Sequence, residues 1–154
     1  MLSRSLKAMA AALLMGSSAM TMAANDGQAR VNELLKDADY RAAWQYVVKK
    51  EERLPEWVMN LTGSADQMNA VTQGGDAYLV GPLCETQTTC LNQRLIVAVS
   101  LNKKDAYALL VEVPAGLPAD KSPTRHADYR FLGQPDEGMQ VLLKEQLKKD
   151  PNWY

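Results

Sequence analysis

Two apolar runs lie almost end to end: Arg94–Ser100 (RLIVAVS) and Ala106–Val113 (AYALLVEV), separated by little more than Asn102-Lys103-Lys104-Asp105. The first is rich in Leu, Ile and Val, as a strand buried on both faces is, and the second repeats the pattern. A polar connection this short joins antiparallel neighbours, because parallel strands need a crossover of a dozen residues or more. Upstream, Met68 to Thr72 and Ala77 to Leu83 flank a turn signal, Gln73-Gly74-Gly75-Asp76. Downstream, Pro114 to Pro123 reads as a surface loop and His126 to Leu132 as a last strand.

Helical patterns bracket these strands. From Gly27 to Glu52, Val31, Leu34 and Leu35 fall at helix spacing, and Ala42, Ala43, Tyr46 and Val47 resume it beyond Asp37 and Asp39. That is two helices, or one with a break. Pro55 ends the run, since the residue before a proline is pushed out of helical geometry. Pro135-Asp136-Glu137 opens a final helix with an acidic first turn and the apolar stripe Met139, Leu142, Leu143 and Leu147. The expected fold is α+β, an antiparallel β-sheet of about five strands with helices packed on one face. Trp44, Trp57 and Trp153 are the expected packing anchors.

The N-terminus reads as an export signal. Arg4 and Lys7 precede an apolar stretch, Ala8 to Met22, that ends in small residues. At about 15 residues it falls short of the roughly 20 that span a bilayer as a helix, which argues against a permanent anchor. Cleavage is expected after Ala23 or Ala24, with Ala19 the alternative; the division is 1–23 as signal peptide and 24–154 as a single domain. With Arg4 and Lys7 removed, fifteen Lys and Arg face eighteen Asp and Glu. That balance argues against nucleic acid, whose affinity rests on neutralising phosphates.

The residues offer little for catalysis. His126 is the one histidine, and no glycine-rich phosphate loop, nucleophile elbow or two-histidine metal motif occurs. Glu51-Glu52 sit among Lys49, Lys50 and Arg53, as a solvated charge cluster does. Five of eight methionines lie in the signal region, leaving Met59, Met68 and Met139 for packing. No catalytic residue, metal or cofactor is expected.

Both cysteines, Cys84 and Cys90, fall in GPLCETQTTCLNQ. In an exported chain they favour a disulfide, and a metal site would need more ligands than this segment has. On the chain-entropy estimate so short a ring stabilises a fold by only about 2 to 2.5 kcal/mol. Its larger use is local: a loop fixed at both ends surrenders less freedom when it docks. Glu85, Thr86, Gln87, Thr88 and Thr89 are therefore the candidate partner-binding residues.

Leu54-Pro55-Glu56-Trp57-Val58, the Cys84 to Cys90 loop, and Asn92-Gln93-Arg94-Leu95 entering a buried strand, in that order behind a signal peptide, resemble the inhibitor of vertebrate lysozyme (Ivy) family. The similarity runs on to Asp150-Pro151-Asn152-Trp153-Tyr154. The resemblance implies a periplasmic protein of Gram-negative bacteria, frequently a homodimer, whose disulfide-closed loop enters the cleft of c-type lysozyme. In the family that loop reads Cys-Lys-Pro-His-Asp-Cys, and its histidine engages the two catalytic carboxyls. Here the cysteines carry over, the lysine, proline and histidine do not, and the loop is one residue longer, so the chain reads as a divergent member lacking that loop. The resemblance implies a lysozyme inhibitor, weak on c-type lysozyme. The alternative is a non-inhibitory periplasmic binding module of the same fold with another partner, such as a lytic transglycosylase.

Overall fold

Six strands make one antiparallel sheet in a computed structural model that describes residues 29–118 and 120–154. The expected signal segment, 1–23, lies outside those residues. The strands are β1 (Ser64–Ala65), β2 (Asn69–Gln73), β3 (Asp76–Cys84), β4 (Gln93–Ser100), β5 (Ala106–Glu112) and β6 (Asp128–Leu132). Their order is β1-β3-β4-β5-β6, with β2 also paired to β3. The meander read from the sequence is present, down to the β2–β3 turn at Gly74-Gly75, both at positive φ.

Register explains why β4 reads as continuously apolar. Leu95, Val97 and Val99 join one buried cluster, while Ile96 and Ala98 join another. Successive side chains on a strand point to opposite faces, so these are the two sides of the sheet. The first cluster takes Val31 and Leu34 from a 3-10 segment (Val31–Lys36), Tyr40, Trp44 and Val47 from α1 (Ala38–Val48), and Trp57 and Val58 from α2 (Glu56–Asn60). A short α3 (Pro123–His126) precedes β6. The second cluster takes Met139, Leu142, Leu143 and Leu147 from α4 (Glu137–Lys148), together with Trp153. The α+β arrangement is as expected, with the N-terminal helices on one face and α4 adding cover to residues of the other parity.

Asp37 makes the break anticipated in the N-terminal helical run. Extended itself, it caps α1 by accepting from the Asp39 and Tyr40 amides, and it pairs with Lys103 of the β4–β5 turn. All three tryptophans are buried. Trp44 Nε1 donates to the Val58 and Met59 carbonyls, both at 3.1 Å, which joins α1 to α2. Of the methionines assigned to packing, Met68 and Met139 are buried and Met59 is exposed.

Candidate functional site

β3 and β4 are paired as far as Leu83↔Leu95, and the candidate loop is their connection. Cys84 ends β3 and is bonded to Cys90. The chain therefore does not lack the disulfide-closed loop, and that expectation is corrected: the ring is present at the expected place with a different filling. The physical reason lies in the filling. Gln87–Thr89 form one 3-10 turn with Thr86 as its cap, so hydrogen bonds supply the order that a proline would otherwise give.

The threonines are turned inward on one another. The Thr86 amide donates to Thr89 Oγ1 at 3.1 Å, the Thr89 amide to the Thr86 carbonyl at 3.2 Å, and Thr86 Oγ1 lies 3.0 Å from Thr88 Oγ1 and 3.1 Å from Thr89 Oγ1. Glu85, Thr86, Gln87 and Thr88 are exposed, and Thr89 is half-buried. Hydroxyls engaged within the ring are less available to a partner. Gln87, whose amide has no hydrogen bond to another described residue, and the Glu85 carboxylate, outside every ion pair found, are the groups left to offer.

The loop is buttressed on both sides. At its entrance Gly63, with φ +144°, lies against the Cys84 carbonyl; a Cβ there would sit 2.1 Å from that oxygen. At its exit Arg94, almost fully buried, donates from Nε to the Cys90 carbonyl at 3.1 Å and from Nη1 to Asp150. Burial works to raise the Asp150 carboxyl pKa, but the Asn152 amide and Arg94 outweigh it, so the group lies below its usual range.

Two open clefts flank the ring. Glu56, Trp57, Asn60 and Glu85 line one, and Glu85, Glu112 and Asp128 line the other; neither is lined by a Lys or Arg. None of these four carboxylates belongs to an ion pair among the described residues, so the surroundings of the loop are acidic. His126 lies well along the chain in α3, its Nδ1 3.0 Å from the Ser122 carbonyl. Among the described residues no three His, Cys, Asp or Glu side chains group as a metal site.

The structure thus brings together residues 85–89, as the sequence suggests. It adds Gly63 and Arg94, which sequence reasoning missed. A cation heading an otherwise apolar strand was the available signal for Arg94; nothing local marks Gly63.

Residues 39–149 match the family model described as "Inhibitor of vertebrate lysozyme (Ivy)". An uncharacterized protein of Pseudomonas aeruginosa is 54% identical over 147 residues, covering 93% of this chain and 94% of its own. One of Yersinia pestis is 39% identical over 121 residues, covering 79% and 78%. A Pseudomonas aeruginosa protein named inhibitor of vertebrate lysozyme is 35% identical over 128 residues, covering 82% of each chain.

Proposed function

The chain belongs to the inhibitor of vertebrate lysozyme (Ivy) family, and from that premise we propose that it is a periplasmic inhibitor of lysozyme-type cell-wall hydrolases, acting through the Cys84–Cys90 loop. The family is one of inhibitors, and the chain is not an enzyme. Residues 1–23 would direct export and be removed. One observation carries the reading: the ring is covalently closed, internally hydrogen-bonded and exposed, with Gln87 unengaged near its centre.

Chemistry sets the strength of inhibition. A protonated histidine between two carboxyls makes charge-assisted hydrogen bonds, roughly twice as strong as the neutral ones Gln87 can offer. Glu85 would be repelled by the carboxylate that stays ionised in a lysozyme cleft. Weak action on c-type lysozyme follows. Titrating purified protein against a c-type lysozyme and a lytic transglycosylase tests this, with mass measurement in solution reporting any homodimer. Inhibition of at least one enzyme is expected; full activity of both at micromolar excess overturns the proposal.

The four unpaired carboxylates around the loop favour a second reading, a non-inhibitory binding module that docks a basic surface, such as that of a transglycosylase. Binding that weakens with salt while the enzyme stays active would select it.

A further inference from the structure

Arg94 is an odd choice for the head of β4. Every other residue from Leu95 to Val99 is apolar and buried, yet Arg94 is buried with them at 5% exposure. Its guanidinium is only partly satisfied: Nε serves the Cys90 carbonyl, Nη1 serves Asp150, and Nη2 is buried with no partner among the described residues. The guanidinium lies over the Trp153 ring, 5.4 Å from its centroid. A buried cation with an unmade hydrogen bond is unfavourable, and apolar residues of similar volume often serve stability as well or better. What an apolar side chain cannot do is hold a carbonyl on one side and a carboxylate on the other. The planar guanidinium, with donors fixed at different angles, can do both.

The two groups so joined are far apart in the chain. Cys90 closes the exposed ring; Asp150 follows α4, in a turn where the Trp153 amide bonds back to the Asp150 carbonyl at 2.9 Å. Asp150 is itself held, since its Oδ1 accepts from the Asn152 amide at 2.8 Å. Trp153 is anchored in the second core cluster and meets Tyr129 of β6 edge to face. The Cys90 carbonyl is therefore tied, through one side chain, to the packed C-terminal segment.

We propose that Arg94 is the positioning residue of the loop, aiming the Cys84–Cys90 ring by clamping its exit to Asp150 and Trp153. This deepens and rests on the inhibitory reading, but the clamp itself is a property of the free protein. The disulfide closes the ring, and Arg94 fixes the direction in which the closed ring points. A ring that is closed but free to swing would lose part of its preorganisation at docking, mainly as faster dissociation.

Arg94→Lys separates aiming from stability. Lysine keeps a cation beside Asp150, but as a compact point charge without Nε it cannot reproduce the fork. Two measurements decide: hydrogen exchange of the Thr86 to Leu91 amides in the free protein, and dissociation from whichever of c-type lysozyme and lytic transglycosylase the unmodified protein inhibits. The expected result is melting close to that of the unmodified protein, with these loop amides exchanging about tenfold faster and dissociation faster by about the same factor, as for one lost charge-assisted hydrogen bond. Asp150→Asn, which acts on the loop only through Arg94, should accelerate the same amides. Unchanged loop exchange in both variants overturns the clamp, as does looser exchange with unchanged dissociation. If the unmodified protein binds neither c-type lysozyme nor a lytic transglycosylase, the inhibitory reading fails and the exchange measurement alone decides the clamp.

Discussion

Removing the disulfide by Cys84→Ala with Cys90→Ala should cost binding more than folding. The cysteines are six positions apart, and for a ring of that size the loop-closure entropy is about 2 to 2.5 kcal/mol at 25 °C. Where that quantity appears depends on what orders the loop once the bond is gone. The β3–β4 ladder closes at Leu83↔Leu95 whether or not the bond exists, so folding brings the ends of residues 84–94 together regardless. Ordering the ring itself can then be deferred to docking. We expect the unfolding free energy to fall by under about 1 kcal/mol and the dissociation constant to rise by about tenfold, equivalent to roughly 1.4 kcal/mol. Urea unfolding gives the first quantity. Calorimetric titration with whichever hydrolase is inhibited gives the second, and chemically reduced protein controls for the two lost sulfurs. A fall in stability of the full 2 to 2.5 kcal/mol with unchanged affinity would refute the reasoning, because the Thr86–Thr89 network would then order the loop unaided.

Gln87→His should tighten binding to c-type lysozyme by about tenfold below pH 6.5, where the imidazole is charged, and the gain should shrink at about pH 8; the ratio of its dissociation constant to that of the unmodified protein at the two pH values checks this. Gly63→Ala should destabilise by more than about 1 kcal/mol, since alanine is strained at φ +144° and its Cβ would strike the Cys84 carbonyl; denaturant unfolding measures the loss, and altered amide shifts at residues 84–86 would trace it to the loop entrance. The Asp37 pKa lies below its ordinary 3.8, chiefly through the hydrogen bond from Lys103 and with help from the Asp39 and Tyr40 amides against the opposing effect of burial. That stabilisation is present above pH 3.8 and is lost as pH falls through the lower folded value. Asp37→Asn, which can still cap α1, should therefore flatten the acid limb of the melting temperature against pH, and an unchanged limb would exclude the pair as its source.

The ring's place and its exposure were legible because both depend on local chemistry. Cys84 and Cys90 are too close in sequence to do anything but close a small loop when bonded to each other, and polar residues between two apolar strands have no core to enter. Its internal order was less legible. Thr86, Thr88 and Thr89 look like available hydrogen-bonding groups in a string of residues, and only their 3-10 geometry turns the hydroxyls on one another. That geometry leaves Gln87 with the side-chain amide not engaged within the ring, a distinction from the threonines that the sequence alone could not draw.

Local patterning by itself determined strands β2 to β6, the antiparallel order from β2 to β5, the helices at both ends and the cysteine ring, but not the two-residue β1, since periodicity, turn residues and short separations act within a few residues. The tertiary structure alone decided that Gly63 braces the entrance of the ring and that Arg94 ties its exit to Asp150. Those contacts join positions separated by 21 and 56 residues, Gly63 with Cys84 and Arg94 with Asp150. Such contacts exist only once packing has brought the segments together, and no local preference encodes them.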